Sequence, residues 1–319
     1  MLIDPRTGCL TQSILNFALA IMKSLDPHVD AFESHRSLLT GVAYRMLGSV
    51  TDAEDMVQEA WLRWRSVDVG TVAVPRSWLL TVVSRLCLDR LKSAQVQREQ
   101  YFGTWLPEPL VGSVEPHQTA QVDESVSIAL LLVLEKLSPV ERAGFLLHEV
   151  FGHTFDEISE ILGKPTVNCR KLVSRARERV RADKPRFTAT HGEHEELLKR
   201  FLTACRAGEM EPLMNLLGED AAFHSDGGGK AQAVAVVMHG RDKIARFFLG
   251  VMRGSEAGDV GYEVRETTFN GVPGVLLFSE GRLATALALE VHEGKISAIF
   301  AHRNPDKLKW FSEVDEPGL

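Results

Sequence analysis

Between Thr154 and Arg181 the chain carries two helix starts separated by a tight turn, and this pattern restricts the surrounding fold more than any other. Thr154-Phe155-Asp156-Glu157 is a capping box, in which hydroxyl and carboxylate satisfy each other's orphaned N–H groups. It opens a short helix whose apolar residues are Phe155, Ile158, Ile161 and Leu162. Gly163-Lys164 forms the turn, and a longer helix begins at Pro165. In that helix Cys169, Leu172, Val173, Ala176 and Val180 recur at helical spacing and make one buried stripe. The remaining faces show Asn168, Arg170, Lys171, Ser174, Arg175, Arg177 and Arg179. A basic helix after a tight turn suits the major groove of DNA, with its first residues on base edges and later Arg/Lys on phosphates. The alternative is a solvated basic helix of an ordinary bundle.

Charge bears on that choice only after it is divided along the chain. The net charge of −7 argues weakly against a nucleic-acid partner, yet residues 164–186 hold nine Lys/Arg against Glu178 and Asp183, a local balance of +7. Attraction to phosphate follows the local patch rather than the sum. Residues 187–319 carry 14 basic and 20 acidic side chains and account for most of the negative charge. Cys9, Cys87, Cys169 and Cys205 lie far apart with no CxxC pair. A disulfide framework or zinc site is therefore not expected, and a reducing cytoplasm fits. No run approaches the length of a membrane span, so no membrane partner is expected.

The 319 residues suggest two or three domains. Residues 1–29 read as a leader. Its apolar run Ile14–Met22 would suit a short signal core, but Ala18-Leu19-Ala20 lies inside the run rather than after it. A flexible or mistranslated segment, with Met22 as the start, is the better reading. Residues 30–98 are helical, with Thr51-x-x-Glu54 as a capping box and a stripe of Trp78, Leu79, Val82, Val83, Leu86 and Leu91 after Pro75. Residues 99–123, with Pro107, Pro109, Pro116, Gly103 and Gly112, form a linker. Residues 124–186 are helical again, and Ser138-Pro139-Val140-Glu141 opens one helix with a cap, a proline and the reciprocal glutamate. Residues 187–312 change texture: two helical segments precede strand-like runs at 221–225, 231–238, 260–268, 272–279, 282–291 and 295–303, with a helix near 241–252. Such an order indicates an α+β domain with a curved antiparallel sheet wrapped on helices, followed by a tail at 313–319.

One helix-turn-helix makes few phosphate contacts, so a monomeric reader needs a second DNA-contacting module. Arg76, Trp78, Arg85, Arg90, Lys92 and Arg98 mix basic and aromatic groups and are candidates, although Trp78 alone fits a core position better. Upstream, the helix from Asp52 to Trp64 has Met56, Val57, Ala60, Trp61 and Trp64 on its inner stripe. Asp52, Asp55, Gln58, Glu59 and Leu62 lie around another face and are available to a basic partner.

At these residues the chain resembles the extracytoplasmic-function sigma factors of bacterial RNA polymerase. DAEDMVQEAWLRW resembles the polymerase-binding helix of their region two, and PRSWLLTVVSRLCLDRLKS (Pro75–Ser93) the segment that opens and reads the −10 element. Residues Leu137–Val180 resemble region four, which binds the −35 element and the polymerase flap. The resemblance implies two helical domains and a non-catalytic factor whose partners are RNA polymerase core and promoter DNA. Asp52, Asp55, Gln58, Glu59 and Trp61 would dock on the polymerase clamp helices, and the loop near Ser66–Arg76 would hold a flipped −10 base. Asn168, Arg170, Lys171 and Arg175 would approach the −35 element. Three further segments resemble signatures of one subgroup: Trp105-Leu106-Pro107-Glu108-Pro109, Asp226-Gly227-Gly228-Gly229-Lys230, and Asn304-Pro305-Asp306-Lys307-Leu308. That subgroup carries a fused SnoaL-like cone in place of a separate anti-sigma factor, and the resemblance implies regulation in cis through the three segments.

The C-terminal domain offers His224, Asp226, His239, Arg241, Asp242, His292 and His302, yet no metal-ligand spacing, and the glycine-rich turn lacks the Ser/Thr of a phosphate loop. No cofactor and no metal are expected. Catalysis, an unidentified small-molecule ligand and a plain protein-contact role stay open for this domain. The alternative for the whole chain is a one-component helix-turn-helix regulator with a ligand-binding or catalytic SnoaL-like domain.

Overall fold

Asp26 and Pro27 start the first described helix, the aspartate accepting a hydrogen bond from His28 N–H and the proline occupying the first helical position. In the computed structural model, residues 26–99, 101–111, 126–183, 189–257 and 262–312 are described; the leader segment 1–25 and the tail 313–319 lie outside them. Helix α1 (Pro27–Leu47) ends at Gly48 in the left-handed conformation, and α2 (Val50–Arg65) follows at once. The cap of α2 is Ser49 rather than Thr51, its hydroxyl accepting from Asp52 N–H, so the capping box expected at Thr51 and Glu54 does not form. A short 3-10 turn (Val69–Thr71) leads to α3 (Pro75–Glu99). Phe32, Leu39, Val57, Trp64, Leu79 and Val83 are buried where the three helices meet.

Helices α4 (Ile128–Glu135), α5 (Pro139–Phe145, continued by a π turn at Leu146–Val150), α6 (Phe155–Leu162) and α7 (Thr166–Asp183) form the second helical unit. Both capping boxes expected here are present, at Ser138/Glu141 and Thr154/Glu157, and Gly163 ends α6 with φ +61. The two units are not separate bodies. Leu134, Leu146, Ala176 and Val180 belong to the same apolar core as Leu39, Trp64 and Leu80. Arg142, almost fully buried, ties the join by donating to Leu134 O and Met46 O while pairing with Glu135 at 2.6 Å.

Helices α8 (His191–Ala207) and α9 (Met210–Leu216) open the C-terminal α+β domain. Its strands are β1 (Leu217–Asp226), β2 (Met238–His239), β3 (Glu263–Phe269), β4 (Val272–Ser279), β5 (Arg282–His292) and β6 (Lys295–His302). Helix α10 (Arg241–Ala257) follows β2, and α11 (Pro305–Ser312) closes the domain. The sheet order is β2-β1-β6-β5-β4-β3. It is mixed rather than wholly antiparallel, because β1 runs parallel to β6. The strand expected over 231–238 is reduced to Met238–His239; the preceding residues form an irregular loop, three of which line a cavity described below.

Side chains alternate across a sheet, and this alternation organises the molecule. Phe223, Leu287, Leu289 and Ala301 turn toward α8 and α10 and form one core. Leu276, Ala286, Ala288 and Phe300 turn the other way and pack with Leu106 of the linker, Ile128, Leu308 and Phe311 in a second core. The outer face of the sheet is thus covered by the linker and by the start of α4.

Candidate functional site

The residues expected to approach DNA from α7 lie on its exposed face. Asn168, Arg170, Lys171 and Arg175 are all exposed, while Cys169, Val173, Ala176 and Val180 are buried beneath them. Arg170 lies 5.4 Å from the centre of the Phe155 ring. Further along the helix, Arg177 pairs with Glu149 and Arg179 with Glu141, which orients α7 on the preceding helices.

The candidates on α3 divide. Arg76 is exposed, and Trp78 is half-buried 5.3 Å from the ring of Trp64. Lys92 is exposed and pairs with Asp89. Arg85 and Arg90, however, are engaged within the protein. Arg85 donates to Ile161 O at 3.1 Å and Glu160 O at 2.7 Å, so it sits on the carbonyl end of α6, where the helix dipole favours a cation. Arg90 donates twice to Asp52 Oδ1, at 2.7 and 3.1 Å. Arg98 lies where side chains fall outside the described residues.

That pairing also alters the acidic face of α2. Asp52 is turned onto Arg90, and Trp61 packs against Phe32 with ring centres 5.0 Å apart. Asp55, Gln58 and Leu62 are exposed, and Glu59 pairs with Arg63 on the same face. A partner therefore meets Asp55, Gln58, Glu59 and Leu62.

The structure brings the three signature segments together around one buried carboxylate. Asp226 is completely buried at the end of β1. Its Oδ1 accepts from Tyr101 Oη at 2.6 Å, and its Oδ2 accepts from Leu106 N–H at 2.9 Å and Lys307 Nζ at 2.8 Å. Lys307 Nζ also donates to Leu106 O and stands 4.6 Å from the centre of the Trp105 ring. Asn304 donates to Tyr101 Oη, and its N–H bonds Asp226 O. Gly228, at φ +58, faces the Asn304 amide so closely that a Cβ there would stand 2.2 Å from Nδ2. Gly227 lies against Ala231 O and Gly229 against Phe102, while Lys230 pairs with Asp306 on the surface beside exposed Pro305. Burial and the adjacent Asp226 carboxylate push the Tyr101 phenol far above its usual range, which keeps it a donor.

The linker continues from this clamp onto the helices. Pro107 and Pro109 are buried, and Pro107 O meets His302 Nε2 at 2.9 Å. Burial holds the fully enclosed His302 ring down to about 4, so it is neutral. Trp105 covers the Cα of Gly48, where a Cβ would stand 2.8 Å from the indole. Glu108 Oε2 accepts from Val50 N–H at 2.8 Å and Thr51 N–H at 3.1 Å, adding a second cap to α2. Asn270, in the left-handed turn between β3 and β4, joins four elements. It exchanges hydrogen bonds with Leu110, and its amide donates to Tyr44 Oη at 2.6 Å and Val126 O at 2.7 Å.

Tyr101, Asn270 and His302 were not among the clamp residues expected from sequence, and Glu108 was named only within its signature segment. Asn270-Gly271 between two strand-like runs was the available signal for a hairpin, though not for a contact with Tyr44. The other titratable candidates of this domain, His239, Arg241, Asp242 and His292, line no cavity described here. Among the described residues no cluster of His, Cys, Asp or Glu is placed to hold a metal, and no helix is long and apolar enough to cross a membrane.

Comparisons with known proteins bear on the family and the fold. Residues 31–96 match the family model "Sigma-70 region 2", and residues 127–180 match "Sigma-70, region 4". The ECF RNA polymerase sigma factor SigJ of Mycobacterium tuberculosis is 40% identical over 88% of this chain and 93% of its own length. The probable ECF RNA polymerase sigma factor SigI of the same organism is 34% identical, covering 90% of this chain and 97% of that relative. The crystal structure of M. tuberculosis SigJ superposes with a TM-score of 0.70 at 38% identity, over 88% of this chain and 98% of that one.

Proposed function

The chain belongs to the extracytoplasmic-function sigma factors of RNA polymerase, and we propose that its SnoaL-like domain holds the two DNA-reading regions together in a resting form. As a sigma factor it binds RNA polymerase core and promoter DNA, directs promoter recognition and transcription initiation, and is not an enzyme. A one-component regulator acting without polymerase is set aside by that membership.

One observation carries the proposal: Arg85 of region two is bonded to the end of α6 in region four. The −10 and −35 elements are 25 base pairs apart, roughly 85 Å of duplex at ~3.4 Å per step. Regions that touch through Arg85 and share an apolar core do not reach both elements at once. Initiation therefore requires their separation. The linker between them is gripped by Asp226, His302 and Lys307 of the C-terminal domain, and Asn270 fastens both helical units to that domain. A fused domain in this position takes the part of a separate anti-sigma factor, and the factor acts in the cytoplasm with the polymerase.

Within this reading Asp55, Gln58, Glu59 and Leu62 form the polymerase face, with Trp61 packed on Phe32 behind them and Asp52 held back by Arg90 until α3 is rearranged. Asn168, Arg170, Lys171 and Arg175 read the −35 element, and Arg76, Trp78 and Lys92 contact the −10 region. The test compares core-polymerase binding and run-off transcription for the full chain and for Asp226→Asn. Several-fold tighter core binding by the variant supports the reading. Equal binding and equal transcription, with the linker released, would refute it.

A further inference from the structure

The concave face of the sheet encloses a cavity of about 630 Å³ that the clamp does not use. Pockets for small organic ligands are typically ~300–1,000 Å³, so the space is of metabolite size. Phe223, Phe247, Phe248, Leu277 and Leu287 make most of the wall apolar. Ser225, Thr285 and Gln232 add a few polar groups, and Arg206 and Arg303 add two cations. Among the described residues no aspartate, glutamate or histidine lines it. The described wall therefore offers no carboxylate or imidazole for general acid–base chemistry, and its described charges are of one sign.

Arg303 is the informative residue. It follows β6, and alternation sends Ala301 and Arg303 into the cavity while His302 points at the linker. Its Nε is fully enclosed and has no hydrogen-bond partner among the described residues. An enclosed guanidinium N–H without an acceptor is costly, and the cost disappears when an anion meets it. We propose that this cavity binds an amphipathic organic acid, its carboxylate on Arg303 and its hydrocarbon or aromatic body among the phenylalanines.

The position of Arg303 makes such a ligand a regulator, and in this respect alone the inference rests on the resting form proposed above. Three consecutive residues face different ways: His302 holds Pro107 O, Arg303 lines the cavity, and Asn304 holds Tyr101. Arg303 N–H is itself bonded to Asp226 O. Gln232, Ala233 and Val234, which also line the cavity, continue directly from the glycine turn that contacts Asn304. An acid that pulls on Arg303 acts on the residues gripping the linker.

The test needs no polymerase, so its failure leaves the sigma-factor reading untouched. The full chain is titrated with dodecanoate and with dodecanol, each displacing the fluorescent probe anilinonaphthalenesulfonate. Dodecanoate is expected to saturate one site, and Arg303→Gln to weaken it about tenfold or more while leaving dodecanol unchanged. Arg303→Lys keeps most of the affinity. Thermal unfolding reports whether Arg303→Gln is folded. Val251→Trp, at an exposed position on the cavity rim, gives an independent check by blocking entry. The proposal is overturned if dodecanoate shows no saturable binding, if dodecanol binds as tightly, or if both variants bind dodecanoate like the original chain.

Discussion

Replacing Asp226 by asparagine should release the linker from the C-terminal domain without unfolding either. The two carboxylate oxygens accept from three donors, namely Tyr101 Oη, Leu106 N–H and Lys307 Nζ. An amide has one acceptor oxygen, so its NH2 is turned against at least one of these donors. It also leaves the Lys307 ammonium, itself buried, without its counter-charge. Breaking a buried ion pair costs ~3–5 kcal/mol, although Lys307 keeps its bond to the Leu106 carbonyl and its contacts with the rings of Tyr101 and Trp105. The lower figure, about 3 kcal/mol, corresponds to about a hundredfold in a local opening equilibrium. Leu106 N–H reports it directly, because its acceptor is Asp226 Oδ2. Hydrogen exchange at Leu106 should therefore rise about a hundredfold, while Leu289, in the middle of β5, keeps its protection as an internal control. Exchange at Leu106 within a few-fold of the original chain, in a variant of intact β5, would refute the reasoning.

Three further outcomes follow from named contacts. His224 and His302 are both held down to about 4 by burial, whereas the unfolded chain takes up protons near 6.5; their contribution is complete above pH 6.5 and is lost as pH falls toward 4. Each histidine removes about 2 kcal/mol between pH 7 and 5, so the urea midpoint should drop, and His302→Gln should flatten the profile; an unchanged midpoint contradicts this. Asn270→Ala deletes the bonds to Tyr44, Val126 and Leu110 and places alanine at φ 51. The loss should be about 3 kcal/mol or more, and a melting temperature equal to that of the original chain rules it out. Lys171→Ala should reduce the slope of log affinity against log salt for promoter DNA by about 0.9 if its ammonium neutralises one phosphate; an unaltered slope removes Lys171 from the DNA face.

What could be read from the sequence was local. The capping boxes at Ser138/Glu141 and Thr154/Glu157 and the left-handed Gly163 depend on residues three or four apart, and they form as the pattern indicates. The box at Thr51 and Glu54 has the same pattern and does not form, because Ser49 starts the helix two residues earlier and Glu108, from a distant segment, supplies the second cap. The alternation of Val234, Val236 and Met238 resembled a strand, yet Val234 is a cavity wall in an irregular loop and Val236 is exposed. The parallel register of β1 on β6 joins residues some 80 positions apart, and no local signal specifies it. Among site residues, the exposure of Asn168, Arg170, Lys171 and Arg175 on α7 follows from helical geometry alone. That Arg85 bonds the end of α6 and Arg90 bonds Asp52 depends on how helices pack, which spacing does not encode. The three signature segments were visible as turns, but Tyr101, Asn270 and His302, which complete the clamp, carry their meaning only in the assembled fold.

In the resting form proposed above, regions two and four are in contact, and they part for initiation; the distance between them tests this most directly. Fluorophores at cysteines replacing Asp89 on α3 and Glu178 on α7, both exposed and outside the proposed binding residues, would report it in the free chain and in the complex with core polymerase and promoter DNA. The native cysteines among the described residues, Cys87, Cys169 and Cys205, are buried. High transfer in the free chain that falls to little or none in the complex, as regions settle on elements roughly 85 Å apart, is the predicted result. Low transfer in the free chain, or a transfer that stays high when promoter DNA and polymerase are bound, would contradict the account.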